Sequence, residues 1–362
     1  MSELGISVYL KEDNLDENIT YIKKAAELGF TRLFTSMLEI VGEPDQHIAG
    51  FKKLIDVANK VGMKTTVDIN PALFDELGIK YDDLSFFKEL GAWAIRLDEG
   101  FTGLEETQMT HNPLGLKIET NISRGGHYIE SVMDYSPNRD ALIGSHNFYP
   151  QKYTGLDKDY FNGTAGLYKS YNLQTSAFVS APSATQGPWP VSDGLVSLED
   201  HRNLPLATQV QWMKFNPNID NIFIGNAHAS DEELEEAATA FKRTMPLLHV
   251  LKNGEPTELE TKIVEGKNQL YRGDRSSYVI RSTQSRVDYK NEPLAPRNTE
   301  TVNQYDVLIA NENYGQYKAE LQIAIKPLEN DGRMNVVGRI HPDDIILISE
   351  INPWSSFQLK FV

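Results

Sequence analysis

The residues of this chain best suited to chemistry are carboxylates at the polar ends of short apolar runs. Asp68 closes KTTVDI and is followed by Asn70. Asp98 and Glu99 follow AIRL, Glu119 lies within LKIETN just before Asn121, and Glu39 stands two residues past RLFTSM. Other runs end on Tyr9, Ser36, His146 with Asn147, Ser180, and Asn226 with His228. Carboxylates held close together cannot all ionise freely, because desolvation and like-charge repulsion raise at least one pKa. That leaves a protonated acid beside an ionised partner, the pairing glycoside hydrolysis uses. Tyr149, Tyr153 and Trp189, on stretches rich in glycine and proline, offer faces for a sugar ring. Glu39, Asn70, Asn121, His146, Asn147 and Asn226 are the polar candidates for contacting it.

Each candidate also has a plainer reading. Asp68 sits in the turn-rich DINP, where it can cap the next segment, and Asp98 or Glu99 in LDEGF can serve as a helix N-cap. Glu119 interrupts an apolar strand, where an unpaired carboxylate costs several kcal/mol, about the price of a lost buried hydrogen bond or more. Its structural alternative is a salt bridge to a strand neighbour such as Arg96. Glu39 can be a surface residue, His146 a hydrogen-bonded positioning group, and the loop aromatics ordinary packing.

Competing chemistries fit less well. A zinc amidohydrolase barrel would carry His-x-His in its first strand, where this chain has Val8, Tyr9 and Leu10, and its other histidines lack ligand spacing. Lys152 is the one lysine near a run's end, and an exposed loop cation explains it. There is no cysteine, no Gly-x-Ser-x-Gly and no phosphate-binding glycine-rich lysine loop. The expectation is acid–base chemistry by carboxylates, with no metal and no cofactor.

The elements that must position these residues read clearly over the first 250 residues. Eight β-rich runs start near Gly5, Arg32, Lys64, Ala94, Leu116, Ala141, Gln174 and Asn221. Amphipathic helical stretches separate them, such as Leu15, Ile19, Ile22 and Ala26 on one face, entered at Asn14 with Glu17 as a capping pair and closed by Gly29. This alternation predicts a (β/α)8 barrel over residues 1–250, with the candidates at its C-terminal face, where such barrels carry their sites. The long stretches Tyr149–Leu156 and Ala181–Ser197 follow strands and belong to that face. Residues 251–362 change to β-branched alternation with turn signals. Strands are expected at Ser277–Ser282, Tyr305–Ala310, Tyr317–Ile325 and Ile345–Ile351, forming a small β-rich domain.

Charge narrows the partners. The chain carries 35 basic and 51 acidic side chains, net −16, which disfavours nucleic acid and anionic membranes. No run is long and apolar enough to span a bilayer, and the opening residues lack a signal peptide's basic start, so a cytoplasmic protein is expected. Self-association is left open. Against this acidic background Arg272, Arg275, Arg281, Arg286, Lys290 and Arg297 face only Asp274, Asp288 and Glu292 between residues 272 and 297. Arg275, Arg281, Arg286 and Arg297 are the candidates for binding phosphate or carboxylate, which guanidinium groups hold through charge-assisted, bidentate hydrogen bonds. The alternative is a set of salt bridges between domains.

Several separated motifs, GISVYL, RLFTSMLE, HNFYPQKYTGL, GDRSSYVIRSTQSR and YGQYKAELQI, resemble the bacterial 6-phospho-N-acetylmuramidases across nearly the whole chain. The resemblance implies a barrel followed by a cyclophilin-like β domain. It also implies hydrolysis of the β-1,4 bond in 6-phospho-N-acetylmuramyl-N-acetylglucosamine, a phosphorylated amino sugar of cell-wall recycling. The family's catalytic pair is not carried over; the strand ends assign Asp98 and Glu119 as the pair, with Asp68 in reserve or beside the acetamido group. IETNIS and YPQKYTGL depart from the family pattern after Glu119 and before Tyr153, which leaves another phosphosugar open. A phosphosugar isomerase or epimerase, and a non-catalytic phosphosugar-binding protein, are the competing functions.

Overall fold

The computed structural model describes residues 2–38, 44–98, 101–191 and 193–362. It divides into two compact units, Met1–Lys242 and Arg243–Val362. Glu39 and Glu99 lie outside the described residues.

Among the described residues the first unit is a closed barrel of eight parallel strands in sequential order. They are β1 (Leu4–Ser7), β2 (Arg32–Ser36), β3 (Lys64–Ile69), β4 (Ala94–Leu97), β5 (Lys117–Asn121), β6 (Leu142–Ser145), β7 (Gln174–Val179) and β8 (Asn221–Ile224). All eight expected runs are strands, generally trimmed at their C-terminal ends because those residues have left the ladder for the active-face loops. Gly29 ends the helix Leu15–Leu28 in the left-handed region, as expected, but Asn14 does not cap it. Its side chain faces the preceding loop instead, accepting from the Lys11 N–H and donating to the Tyr9 carbonyl.

Alternation along each strand sends every second side chain into the barrel. At the floor Gly5 leaves room for the Phe223 ring and the Arg32 stem, which a Cβ there would meet at 2.6 Å and 2.8 Å. The interior is divided by chemistry. The wall made by β2, β7 and β8 contributes Phe34, Phe178 and Phe223, packed edge-on or tilted against one another. The wall from β3 to β6 contributes Thr66, Asp68, Arg96, Glu119 and Ser145.

The second unit is a mixed seven-stranded sheet in the order β10-β15-β9-β14-β12-β13-β11. These are β9 (Leu247–Lys252), β10 (Gln269–Leu270), β11 (Val279–Ser282), β12 (Asp306–Ala310), β13 (Leu321–Ala324), β14 (Met334–Ile340) and β15 (Ser356–Phe361). The β9–β15 pair is parallel and the other pairs are antiparallel. Three expected strands map onto β11, β12 and β13. The fourth, Ile345–Ile351, falls instead on a 3-10 helix over Pro342–Glu350. Pro342 fits its first turn, and the His341 side chain accepts from the Asp343 N–H. No described helix is long and apolar enough to cross a membrane.

Candidate active site

Barrel register places three charged side chains next to one another. Asp68 on β3 is level with Arg96 on β4, which is level with Glu119 on β5. In sequence they lie far apart; closure of the barrel puts them on one inner wall, and all three are buried. Asp98 follows at the end of β4, with its side chain 30% exposed.

Arg96 organises the group. Its Nη1 donates to Asp68 Oδ1 at 2.7 Å and to Asp98 Oδ1 at 3.0 Å. Its Nε donates to Ser145 Oγ at 2.9 Å, and its Nη2 to Asn147 Oδ1. Sequence reasoning treated Arg96 only as a partner for Glu119, and the pairing is different: the aspartates take the guanidinium. The nearest cationic atom to Glu119 belongs to Arg32, 3.9 Å away. Among the described residues neither Glu119 oxygen has a hydrogen-bond partner, although the residue is fully buried. A signal for Arg96 was present, since it shares strand parity with Asp98 and stands between two carboxylate-bearing strands.

Electrostatics follow from this packing. Burial pushes the Asp68 carboxyl up to about 7; Arg96 pulls the other way, while Asp98 and Glu119 add to the rise. Burial alone would lower Arg96, but the three carboxylates outweigh it and hold its pKa above the ordinary value.

The remaining candidates separate into those at this face and those used elsewhere. Asn147 belongs to the group: Ser123 Oγ accepts from its N–H and Ser197 Oγ donates to its carbonyl, fixing the amide that meets Arg96. Asn121 accepts from the Ser123 N–H. Asn70 caps the helix Pro71–Leu77 by accepting from the Leu73 N–H, so the plainer reading of Asp68 as the cap does not hold. Asp98 likewise caps nothing, as the helix Leu104–Thr110 begins at Gly103.

Two candidates take structural roles, which for His146 is its plainer reading. His146 follows inward-facing Ser145 and therefore points outward, stacked on Phe161 at 4.1 Å and meeting Ser123 Oγ through Nδ1 at 3.1 Å. Burial lowers its pKa to about 3, so it is a neutral packing and positioning group. Asn226 is fully buried, and its amide is spent on the backbone of Ala181 and Ala184. It ties down the loop after β7 and leaves no atom for a ligand. His228 is also engaged, with Nδ1 at 2.8 Å from Glu17 and Nε2 at 2.7 Å from Asn18. Tyr153 and Trp189 are exposed on the long loops, at 89% and 43%.

The arginines of the second unit are largely paired within that unit. Arg281 makes a two-point contact with buried Glu320, at 2.8 Å and 3.1 Å, and Arg286 reaches the same carboxylate at 3.5 Å. Arg297 meets buried Glu260 at 3.1 Å and the Glu255 carbonyl at 2.8 Å, which makes it a structural tie. Arg275 is exposed and has no ion pair among the described residues. Salt bridges do consume part of the cluster, with Glu320 and Glu260 of the same unit as the acids. Two arginines on one carboxylate still leave a net positive charge around Glu320.

Comparison with known proteins places the chain in a family. Residues 4–239 match the N-terminal domain of the 6-phospho-N-acetylmuramidase family, and residues 227–360 match its C-terminal domain. The chain belongs to the 6-phospho-N-acetylmuramidase family. Among solved structures, an uncharacterised B. cereus protein is 40% identical, with a TM-score of 0.90 and 99% of each chain covered. A conserved Enterococcus faecalis protein of unknown function is 26% identical, with a TM-score of 0.75, covering 99% of this chain and 96% of that one. No curated protein matches the chain.

Proposed function

We propose that the chain hydrolyses the β-1,4 bond of 6-phospho-N-acetylmuramyl-N-acetylglucosamine in the cytoplasm, as a step of cell-wall recycling. Family membership supports the glycosidase class. The observation that carries the reading at the level of residues is Glu119, fully buried beside Arg96 with neither oxygen hydrogen-bonded. A buried carboxylate without hydrogen bonds is costly even with Arg32 3.9 Å away, and a substrate group or its attacking water is the partner that makes it worthwhile. Asp98 and Glu119 form the reacting pair. Asp68, holding a proton to about pH 7, faces the acetamido group. Arg96 orients both aspartates, an arrangement that fixes donors and acceptors before substrate arrives.

In the second unit, which we read as the cyclophilin-like domain, Arg281, Arg286 and Arg275 are the groups suited to a phosphate or carboxylate ligand. Their guanidinium N–H groups exceed what Glu320 alone can accept.

The test is incubation of the purified protein with the phosphorylated and unphosphorylated disaccharides, read by mass spectrometry. The expected result is cleavage of the phosphorylated sugar alone, with uptake of one water. An isomerase or epimerase would leave the mass unchanged, and a binding protein would leave the sugar intact; either overturns the reading. Asp98→Asn and Glu119→Gln should each cut kcat/KM by 10³ or more, about 4 kcal/mol, with the thermal melt retained. Near wild-type turnover in both would sink the assignment.

A further inference from the structure

The loop after β6 presents one aromatic ring to solvent with unusual effort. Tyr153 is the most exposed large hydrophobic side chain among the described residues, at 89%, and it sits in the left-handed region at φ 67°. A bulky side chain rarely adopts that conformation unless its surroundings impose it. Here a carboxylate imposes it. Glu199 Oε1 accepts from the Tyr153 N–H and Oε2 from the Gly155 N–H, both at 2.8 Å. Gly155 has no room for a side chain, since a Cβ would lie 2.6 Å from Glu199 Oε2.

Arg202 in turn grips both oxygens of Glu199, at 2.7 Å and 2.6 Å. Its Nη1 donates to the carbonyl of Tyr149 at 3.0 Å and to that of Asp193 at 2.9 Å. One ion pair therefore braces the loop after β6 against the loop after β7, and Lys152 adds a 3.1 Å contact to Asp193. Arg202 and these N–H groups hold the Glu199 carboxyl down at about 2, so it stays ionised across the physiological range. At its inner end the loop follows Asn147, whose Oδ1 accepts from Arg96 Nη2. The braced segment thus runs from the acid cluster out to the exposed ring.

We infer that Tyr153 is the stacking face for the second, unphosphorylated sugar of the disaccharide, and that Glu199 and Arg202 are positioning residues that hold the ring in place. The inference rests on the substrate proposed above. A sugar with no charge has no ionic handle, so its affinity must come from hydrogen bonds and from packing its C–H face on an aromatic ring. The phosphorylated sugar carries charge and is read by cations instead. A ring at the tip of a loop that starts at the carboxylates stands on the outward, leaving-group side of the bond.

The experiment compares Tyr153→Ala, Tyr153→Phe, Glu199→Gln and Arg202→Lys with the wild-type chain. It measures kcat and KM on the phosphorylated disaccharide. It also measures calorimetric Kd, with Glu119→Gln added to every chain so that no sugar is consumed, for that disaccharide and for the methyl glycoside of 6-phospho-N-acetylmuramic acid, which lacks the second sugar. Tyr153→Ala should raise KM and disaccharide Kd about tenfold with kcat within twofold, and leave the methyl glycoside Kd unchanged. Tyr153→Phe should restore wild-type values. Glu199→Gln and Arg202→Lys should follow Tyr153→Ala in this selective loss, which a general loosening of the fold would not produce. Unchanged KM in Tyr153→Ala, or equal weakening of both ligands, overturns the inference. If the wild-type chain binds the disaccharide without cleaving it, the hydrolysis reading fails while the Kd comparison still decides the role of Tyr153. Equal disaccharide affinity with and without the ring, or no binding by either, overturns that role too.

Discussion

Two buried arginines inside one barrel meet opposite circumstances. Arg96, toward the C-terminal end of β4, donates to two aspartates, a serine and an amide, and every nitrogen has a partner. Arg32, at the start of β2, is equally buried but loosely bonded. It reaches Glu3 at 3.3 Å and Thr66 at 3.1 Å, its Nε has no partner, and it stacks over Trp93 at 4.2 Å. Burial lowers the pKa of Arg32, and Glu119 and Glu3 only partly offset it. The carboxylates around Arg96 more than offset burial. One arginine is held in direction, while the other fills and neutralises the floor. That matches the division of such barrels into a catalytic C-terminal face and a stabilising N-terminal one.

The comparison is broken most directly by removing each guanidinium. Arg96→Met should cost about 3–5 kcal/mol of stability, because Asp68, Asp98, Ser145 and Asn147 lose their shared donor and the buried carboxylates their cation. It should also abolish measurable turnover. Arg32→Met should cost about 2–3 kcal/mol, losing a weaker pair and a cation–π contact, and, through Glu119 3.9 Å away, should lower kcat/KM by less than Arg96→Met does. Urea unfolding and steady-state kinetics on both variants check this. Equal activity losses would mean that the floor, too, takes part in the reaction.

A smaller effect lies in pH. Burial lowers His146 and His201 to about 3, from an ordinary value near 6.5. Between those values the unfolded chain binds more protons, so each histidine makes stability rise with pH, by up to about 1.4 kcal/mol per unit. Asp68 acts in the opposite direction: its folded value near 7 exceeds the ordinary 3.8, so its contribution is lost as pH rises through that window. The net expectation is a rise from pH 4.5 to 6.5 with a slope of about one proton. His201→Gln should flatten it and Asp68→Asn should steepen it, as read by unfolding free energies at the two pH values. A falling stability across that range would show that Asp68 outweighs the histidines.

The smallest effect contrasts the arginines of the second unit. Arg281→Ala should destabilise by about 1–3 kcal/mol, since it leaves the buried Glu320 carboxylate underpaired. Arg275→Ala, exposed and without an ion pair among the described residues, should stay within about 0.5 kcal/mol. A thermal melt of each distinguishes a paired arginine from an unpaired one.

Much of the first unit was legible because a parallel strand buried on both faces writes a nearly continuous apolar run, and eight such runs alternate with helical periodicity. The second unit was less legible. β9, β14 and β15 carry LLHVLK, MNVVGRI and SFQLKF, whose alternation is short and interrupted. The strongest apolar run, IILISEI, follows a proline and folds as a 3-10 helix. Strand parity was a signal left unused: with Ser145 facing inward, adjacent His146 must face out, and Arg96 must face in with Asp68 and Glu119.

By itself the sequence determined the barrel, the carboxylates at its strand ends, the cationic cluster near the C-terminus and the family resemblance. Each of these depends on local periodicity or on residues close together in the chain. Only the tertiary structure decided which charges meet. That Arg96 serves Asp68 and Asp98 and leaves Glu119 unbonded, that Glu320 and Glu260 claim three arginines, and that Glu199 holds Tyr153 outward are all long-range pairings. They follow from strand register and loop docking, where angles and distances of a few ångströms choose one partner among several of equal charge.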